Sequence, residues 1–324
     1  MNSLQVPKWN TFILVPIITT FIDKCLETIY KYNKEDTFYV YIVDQTVPGL
    51  DATALRNKYK NLMVIRTPKT TVHYTGNLGF SQANNLAVQL VTTPYFTMIN
   101  DDVELVNKDW WQGVLDTFKL VEDADPERPA VLVNPASTRL ADWSVGRASG
   151  DDFDIIPYRP EGFTDEDWEH LIHDEHYVNE HLTLKPDSVI DGVALYCSVF
   201  DTRRFLDIGY LDEKYFPATG EDYDYSCLAY MKGYRCVGTT KSWIFHWWSS
   251  SQKAAAKEDD VKSLMIPELS WNQNHVKWGK NFDVWGVKCE ICGEHMRTKD
   301  DITATCEKHP DQLYEMPQTT TQIL

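Results

Sequence analysis

The chain has 324 residues, is 43% hydrophobic and carries a formal net charge of -17 at neutral pH. That composition is sufficient for a sizeable core, which excludes disorder as the default, and acidic residues spread along the chain argue against a surface built to coat nucleic-acid phosphates or anionic membrane. No apolar run is long enough to span a bilayer; the N-terminal "TFILVPIITTF" is broken by Pro16 and runs into Asp23 and Lys24 without a small-residue cleavage site, so it reads as a first core strand.

The first hundred residues alternate strand-like and helix-like segments. After "TFILVPI", the residues Phe21, Cys25, Leu26, Ile29 and Tyr30 recur at helical spacing. "FYVYIVD" reads as the next strand, 51–60 as a helix, "NLMVIRTP" as a strand, a helix opens near Ser81, and "YFTMIN" is again a strand. This β-α-β-α order predicts an α/β fold with a mostly parallel, Rossmann-like sheet and helices on both faces. Ligands bind such sheets beyond the carboxyl ends of the strands, which directs attention to Pro16, Asp44, Pro68 and the cluster Asn100 to Glu104.

From about Ala136 to Lys185 the periodicity dissolves into a polar, aromatic and acidic stretch too long for an idle connection, expected to face substrate or a partner. Order returns with "SVIDGVALYCSVFDTRRFLDIGYLDEKYF", a strand, a helix ended by Gly209 and an extended run. "GEDYDYSCLAYMKGYRCVG" reads as a helix with acids in its first turn and a stop at Gly233, followed by a strand; "KSWIFHWWSSS" closes the region. Residues 252–285 read as mixed helix and linker, and a small module follows from 286.

Asp44 ends a strand and could accept hydrogen bonds from a base or ribose, although a turn or cap carboxylate is the simpler reading of the residue alone. In "GNLGFSQANNLA", Gly76 and Gly79 precede a helix whose Ala83, Leu86, Ala87 and Leu90 supply a buried face; this is neither a dinucleotide fingerprint nor a P-loop. "NDDVE" is stronger, because carboxylates grouped where backbone is immobile suit a hard divalent cation bridging a diphosphate. On an extended chain Asn100, Asp102 and Glu104 share a face and Asp101 points away. One or two acids would satisfy the N-terminal dipole of the helix at "GEDYD"; Glu221, Asp222 and Asp224 exceed that need, so one of them could act as a general base. His246, ending an apolar strand, is most simply a core histidine, and beside acids becomes a candidate metal ligand.

Taken together and in this order, "LVP", Asp44, "NLGFSQANN", "INDDVEL", "DGVALYCSVFDTRRFLDIGYLDEKYF", "GEDYDYSCLAYMKGYRC" and "HWWSSS" give the chain a resemblance to family 2 glycosyltransferases of the GT-A fold, above all their rhamnosyltransferase-like branch, over roughly residues 10–251. The resemblance implies inverting transfer of a sugar from a nucleotide-diphosphate donor, UDP- or dTDP-linked, with Mn2+ or Mg2+ as cofactor. It implies that Pro16, Asp44, Gly76 and Asn77 line the donor pocket with Asn100 and Asp101, that Asp102 and His246 hold the metal, and that Asp222, beside Glu221, is the general base. Two features depart from the family pattern: Asn100 stands where an acid is usual, and the insertion at 136–187 replaces the part that meets the acceptor. The acceptor is therefore open between a glycan, a protein and a hydroxymethylated DNA base.

"CEICGEHMRTKDDITATCEKH" gives Cys289-x2-Cys292-x13-Cys306-x2-His309, the spacing of a structural zinc ribbon, with His295 as a substitute for His309. This module is not a usual part of the family. The expected organisation is a glycosyltransferase domain at 1–255, a helical or linker segment at 256–285, and a zinc module with its tail at 286–324. Of the seven cysteines, Cys25, Cys197, Cys227 and Cys236 are scattered and expected to be buried, which with the C-terminal cluster suits a reducing, cytoplasmic compartment and no membrane span. A catalytically silent nucleotide- or carbohydrate-binding module on the same fold is the alternative, and the oligomeric state is not legible. A dinucleotide- or methyl-transfer enzyme is excluded because no glycine-rich turn follows the first strand.

Overall fold

The computed structural model describes residues 8–46, 49–67, 77–137, 189–191, 194–247, 277–278, 282–283, 286–294, 296–298 and 303–315. Nearly all of the insertion, most of the linker and Gly76 and His295 lie outside these residues. Strands β1 (Asn10–Leu14), β2 (Phe38–Asp44), β3 (Leu62–Arg66) and β4 (Tyr95–Ile99) alternate with helices α1 (Ile22–Tyr32), α2 (Ala52–Lys58) and α3 (Gly79–Val88). After them come β5 (Val103–Leu105), α4 (Trp110–Ala124), β6 (Ala130–Ser137), β7 (Val189–Asp191), β8 (Cys197–Asp201), α5 (Thr202–Ile208), α6 (Glu221–Met231) and β9 (Arg235–His246).

These nine strands make one sheet in the order β3-β2-β1-β4-β8-β6-β9-β5, with β7 also on β9. The pairs β1·β2, β2·β3, β1·β4 and β6·β9 are parallel, while β8 is antiparallel to both β4 and β6. Two antiparallel steps restore the direction, so β6 and β9 run the same way as β1 to β4. Six of the nine strands thus run one way, with β5, β7 and β8 against them, and the sheet is mostly parallel in strand direction, as the alternating sequence predicts.

Helices cover both faces because side chains alternate along each strand. Phe12 and Leu14 pack on one side with Cys25, Leu26 and Ile29 of α1, Leu55 of α2 and Trp110, Val114 and Phe118 of α4. Ile13, between them, packs on the other side with Ala83 and Ala87 of α3, Phe205 of α5 and Tyr225 and Leu228 of α6. Gly113 lets α4 lie directly on β9, since a β-carbon there would collide with the carbonyl of Lys241. Leu90, expected on the buried face of α3, lies beyond the end of that helix and is 45% exposed.

The described part of the C-terminal region contains a short pair, β10 (Phe282–Asp283) with β11 (Gly286–Val287), and a three-stranded antiparallel sheet, β12 (Arg297–Thr298), β13 (Thr303–Thr305) and β14 (Leu313–Glu315). Trp278, Val287, Cys289, Met296, Ala304 and Cys306 share one apolar cluster with Tyr225, Cys227, Leu228 and Met231 of α6. Such short strands bury little area of their own. Their apolar side chains are instead completed by the α6 face.

Candidate active site

The carboxyl ends of β1, β2, β4 and β9 reach the same edge of the sheet, since these strands are co-directional. Helices α3 and α6 each lead by a short connection into a strand running toward that edge, so both helices begin there. The start of α3 is joined to the segment that leads into α6: the Phe80 N–H donates to the Pro217 carbonyl at 2.7 Å. Gly79 makes this approach possible, with φ of +78° and a would-be β-carbon only 2.8 Å from the Pro217 oxygen.

At the end of β4 the chain turns rather than continuing extended. The Val103 N–H donates to the Asn100 carbonyl at 3.2 Å, and β5 begins only at Val103. The expected alternation of Asn100, Asp102 and Glu104 on one extended face is therefore corrected, because a four-residue turn resets which way each side chain points. β5 then pairs antiparallel with β9, placing Val103 opposite His246. The consequence is that Asp102 Oδ1 lies 3.3 Å from His246 Nε2, with both side chains buried. Tyr196 stacks on the imidazole with ring centroids 5.2 Å apart, and the Trp247 N–H donates to the Asp102 carbonyl at 2.9 Å. Glu104 has another occupation: it accepts from the Trp247 indole N–H at 2.8 Å and lies 3.8 Å from Lys24 Nζ. Asp101 is buried and Asn100 half-buried at the same turn.

Two atoms bound to one octahedral cation at about 2.1 Å each, at right angles, lie about 3 Å apart. The Asp102–His246 separation of 3.3 Å fits an adjacent pair of ligands on such an ion.

Asp44 is buried with both oxygens engaged: Oδ1 accepts from the Thr46 N–H at 3.0 Å and the Thr46 hydroxyl at 2.7 Å, and Oδ2 accepts from the Leu50 N–H at 2.8 Å. It organises the loop after β2, as a turn carboxylate does. Gln45, not singled out from the sequence, ties three segments together. Its N–H donates to the Pro16 carbonyl at 3.2 Å, its amide nitrogen to Val15 at 3.2 Å, and its side-chain oxygen accepts from the Leu78 N–H at 2.6 Å. Asn77, also buried, accepts from the Gly79 N–H at 2.8 Å.

Helix α6 begins after Gly220, which has a left-handed backbone and gives no side-chain cap. Its acids take separate paths. Asp224 is buried against Lys277 and Trp278. Asp222 accepts from the Tyr223 N–H at 2.9 Å, and burial raises its carboxyl to about 6 against the lowering effect of first-turn N–H donors. Glu221 is raised to about 8, by burial first and then by the charge of Asp222. The two adjacent groups titrate as a pair that retains a proton near neutrality. Asn85, on α3, braces the segment before them: its amide nitrogen donates to the Leu211 carbonyl at 2.8 Å and its oxygen accepts from the Leu211 N–H at 3.1 Å. This long-range pairing carries no local sequence signal.

The C-terminal cysteines and histidine also converge. The ligand atoms of Cys289, Cys292, Cys306 and His309 all lie within 4.8 Å of one another. Bonds of about 2.3 Å to sulfur and 2.0–2.1 Å to nitrogen around a tetrahedral ion require edges of about 3.8 Å for S–S and about 3.6 Å for S–N. The structure has 3.6 Å between Cys292 and Cys306, 3.6 Å between Cys289 and His309, and 3.8 Å between Cys306 and His309. Backbone N–H groups of Cys292 and Ile291 lower the Cys289 thiol to about 7. The cluster could hold a tetrahedral metal ion. Among the described residues no helix is long and apolar enough to cross a membrane.

No family model and no curated protein matches the sequence. Among solved structures, the chain is similar to GalNAc-T7 with UDP, GalNAc and Mn2+ (11% identity, TM-score 0.48) over 74% of its own length and 43% of that protein. It is also similar to the mannosyltransferase PcManGT from Pyrobaculum calidifontis in complex with GDP-Man and Mn2+ (13%, TM-score 0.46), over 78% of this chain and 62% of that one. Staphylococcus aureus TarS 1-349 aligns with 84% of this chain and 73% of its own length, at 14% identity and a TM-score of 0.42. The chain thus spans less than two thirds of the first two proteins it resembles.

The raised pair predicts a pH dependence of stability. A carboxyl whose pKa is higher folded than unfolded binds its proton more tightly in the native state, so its contribution is fully present below the unfolded value and is lost as pH rises through the folded one. For Glu221 that window runs from the ordinary carboxylate range up to about 8. Chemical denaturation at a series of pH values should show stability falling across this window in the wild type and falling less in Glu221→Gln.

Proposed function

We propose that the chain is a metal-dependent inverting glycosyltransferase that moves a sugar from a nucleotide-diphosphate donor to an acceptor hydroxyl. The observation that supports this reading is that a buried Asp102–His246 pair and the start of α6, bearing the raised Asp222, lie at the same edge of a mostly parallel sheet. Asp102 and His246 would hold Mn2+ or Mg2+, which when bound supplies charge neutralisation for the departing diphosphate. Asp101 and Asn100 stand at the same turn, where they can orient the donor. Pro16, Asp44 and Asn77 surround the strand ends on which a nucleoside would rest.

Asp222 takes the proton of the acceptor hydroxyl as its oxygen forms a bond to the anomeric carbon. The bond from that carbon to the diphosphate oxygen breaks, and its electron pair leaves with the diphosphate. A carboxyl raised to about 6 is a stronger base than an ordinary aspartate while remaining largely ionised at neutral pH. Glu221, keeping its proton, leaves the negative charge on Asp222 and can donate to a sugar or acceptor oxygen. Direct displacement requires no enzyme nucleophile. At the Cys3His cluster the thiolate-rich ligand set favours zinc over the hard ion proposed at Asp102.

Incubation with UDP-, dTDP- and GDP-linked sugars, with Mn2+ or with EDTA, tests the activity through release of nucleoside diphosphate. Asp222→Asn should lower metal-dependent turnover by about 100-fold or more with nucleotide affinity retained. Retained turnover in this variant removes Asp222 from the role, and a wild type that binds nucleotide but turns over no donor favours a silent binding module. Elemental analysis of the purified protein should find one zinc per chain, and Cys306→Ser should lose it with a lower melting temperature; a protein equally stable without zinc would contradict a structural ion.

A further inference from the structure

Lys277 lies in a region whose sequence reads as mixed helix and linker, yet its ammonium is among the most enclosed charges described. Its Nζ is 2.8 and 2.9 Å from the two Asp224 oxygens and 2.9 Å from Asp212 Oδ2, and its side chain is 10% exposed against 1% and 2% for the acids. The next residue adds a second hold on the same carboxylate: the Trp278 indole N–H donates to Asp224 Oδ1 at 2.7 Å, and Trp278 is buried.

Asp224 and Asp222 are two residues apart on α6, about 200° around the helix, so a grip on Asp224 acts on the back of the turn that presents Asp222. Gly220, which precedes that turn, has no side chain with which to cap it. The other acid held by Lys277, Asp212, adjoins Leu211, which Asn85 pins to α3, and Asp212 Oδ1 also accepts from the Lys214 N–H at 3.0 Å. One lysine therefore closes a chain of contacts from α3 through 211–212 to the acid-bearing helix. Its own anchorage lies in the metal-binding region. Trp278 belongs to the cluster that contains Cys289 and Cys306, and the Tyr314 hydroxyl lies 3.5 Å from the Lys277 carbonyl.

We propose that Lys277 and Trp278 are positioning residues that clamp α6 from behind through Asp224, and that the Cys3His site fastens this clamp, making metal occupancy there a condition for correct placement of Asp222. The proposal rests on the reading of Asp222 as general base. Its mechanical part is independent of the reaction. Removing one member of a buried ion pair leaves the other charge uncompensated, so the local effect should be large.

Hydrogen exchange on the full chain separates the two questions. Lys277→Met should speed exchange about tenfold or more in 219–231, with the amides of 10–14 and 38–44 unchanged. Stripping the thiolate-bound metal from the wild type should loosen the same segment. Trp278→Phe removes one donor while keeping every charge, and it is read in the same way if Lys277→Met does not fold. For turnover, either variant should lower kcat by about tenfold with the KM for nucleotide sugar within about twofold, because the donor-side residues stay in place. Unchanged exchange in 219–231, or acceleration spread evenly over the sheet, overturns the clamp. A wild type inactive with every donor, but with exchange localised to α6 in the variants, overturns the proposed activity and leaves the clamp standing.

Discussion

The candidate site depends on one constraint: β4 and β9 point the same way although β8 and β6 intervene. Both antiparallel steps, β4 to β8 and β8 to β6, are needed for this, and the short β5 then turns back onto the end of β9. An α/β sheet exposes its strand ends and helix starts together, where backbone N–H groups and partial positive charge favour anions. Here that edge gathers Pro16, Asp44, Asn77, Asn100 and Asp102 from the first half of the chain and Asp222 and His246 from the second. A strand running the wrong way at β9 would send His246 to the opposite edge. No local interaction could compensate.

In a chain with net charge -17 the structure must also deal with acids that it buries. It does so in five different ways. Asp44 is satisfied by backbone N–H groups and a neighbouring hydroxyl, Glu104 by an indole and a lysine, and Asp212 and Asp224 by Lys277 and further donors. Among the described residues no cation offsets Glu221 or Asp222, and burial raises both, while Asp102 faces an imidazole. The first three solutions neutralise a carboxylate and make it a structural element. The last two leave a proton or a metal ion as the means of balance, which is what the proposed chemistry on a hydroxyl and a diphosphate would require.

The alternating elements of the first hundred residues were legible because period-2 strands such as Phe38–Asp44 and helical spacing such as Cys25, Leu26 and Ile29 each bury one face, and the structure buries those same residues. The four scattered cysteines are buried as expected, and the C-terminal ligand spacing brought four side chains together as expected. Helix α4 is not among the elements expected from the sequence, although Trp110, Val114, Phe118 and Val121 are spaced for it. The face assignment over 100–104 failed because a turn hydrogen bond, invisible in a run of polar residues, replaced the extended chain. Gln45, Asn85 and Lys277 were out of reach for a different reason. Each acts through contacts between segments far apart in sequence, and such contacts leave no periodicity to read.

The central claim is that Asp102 and His246 form the cation site of this edge. Nitrogen hyperfine coupling of bound Mn2+, recorded on zinc-replete protein with nucleoside diphosphate, tests it at the atoms concerned. The account predicts coupling from one imidazole nitrogen in the wild type and its loss in His246→Gln. Mn2+ with no nitrogen coupling, or coupling that persists in the variant, would contradict it.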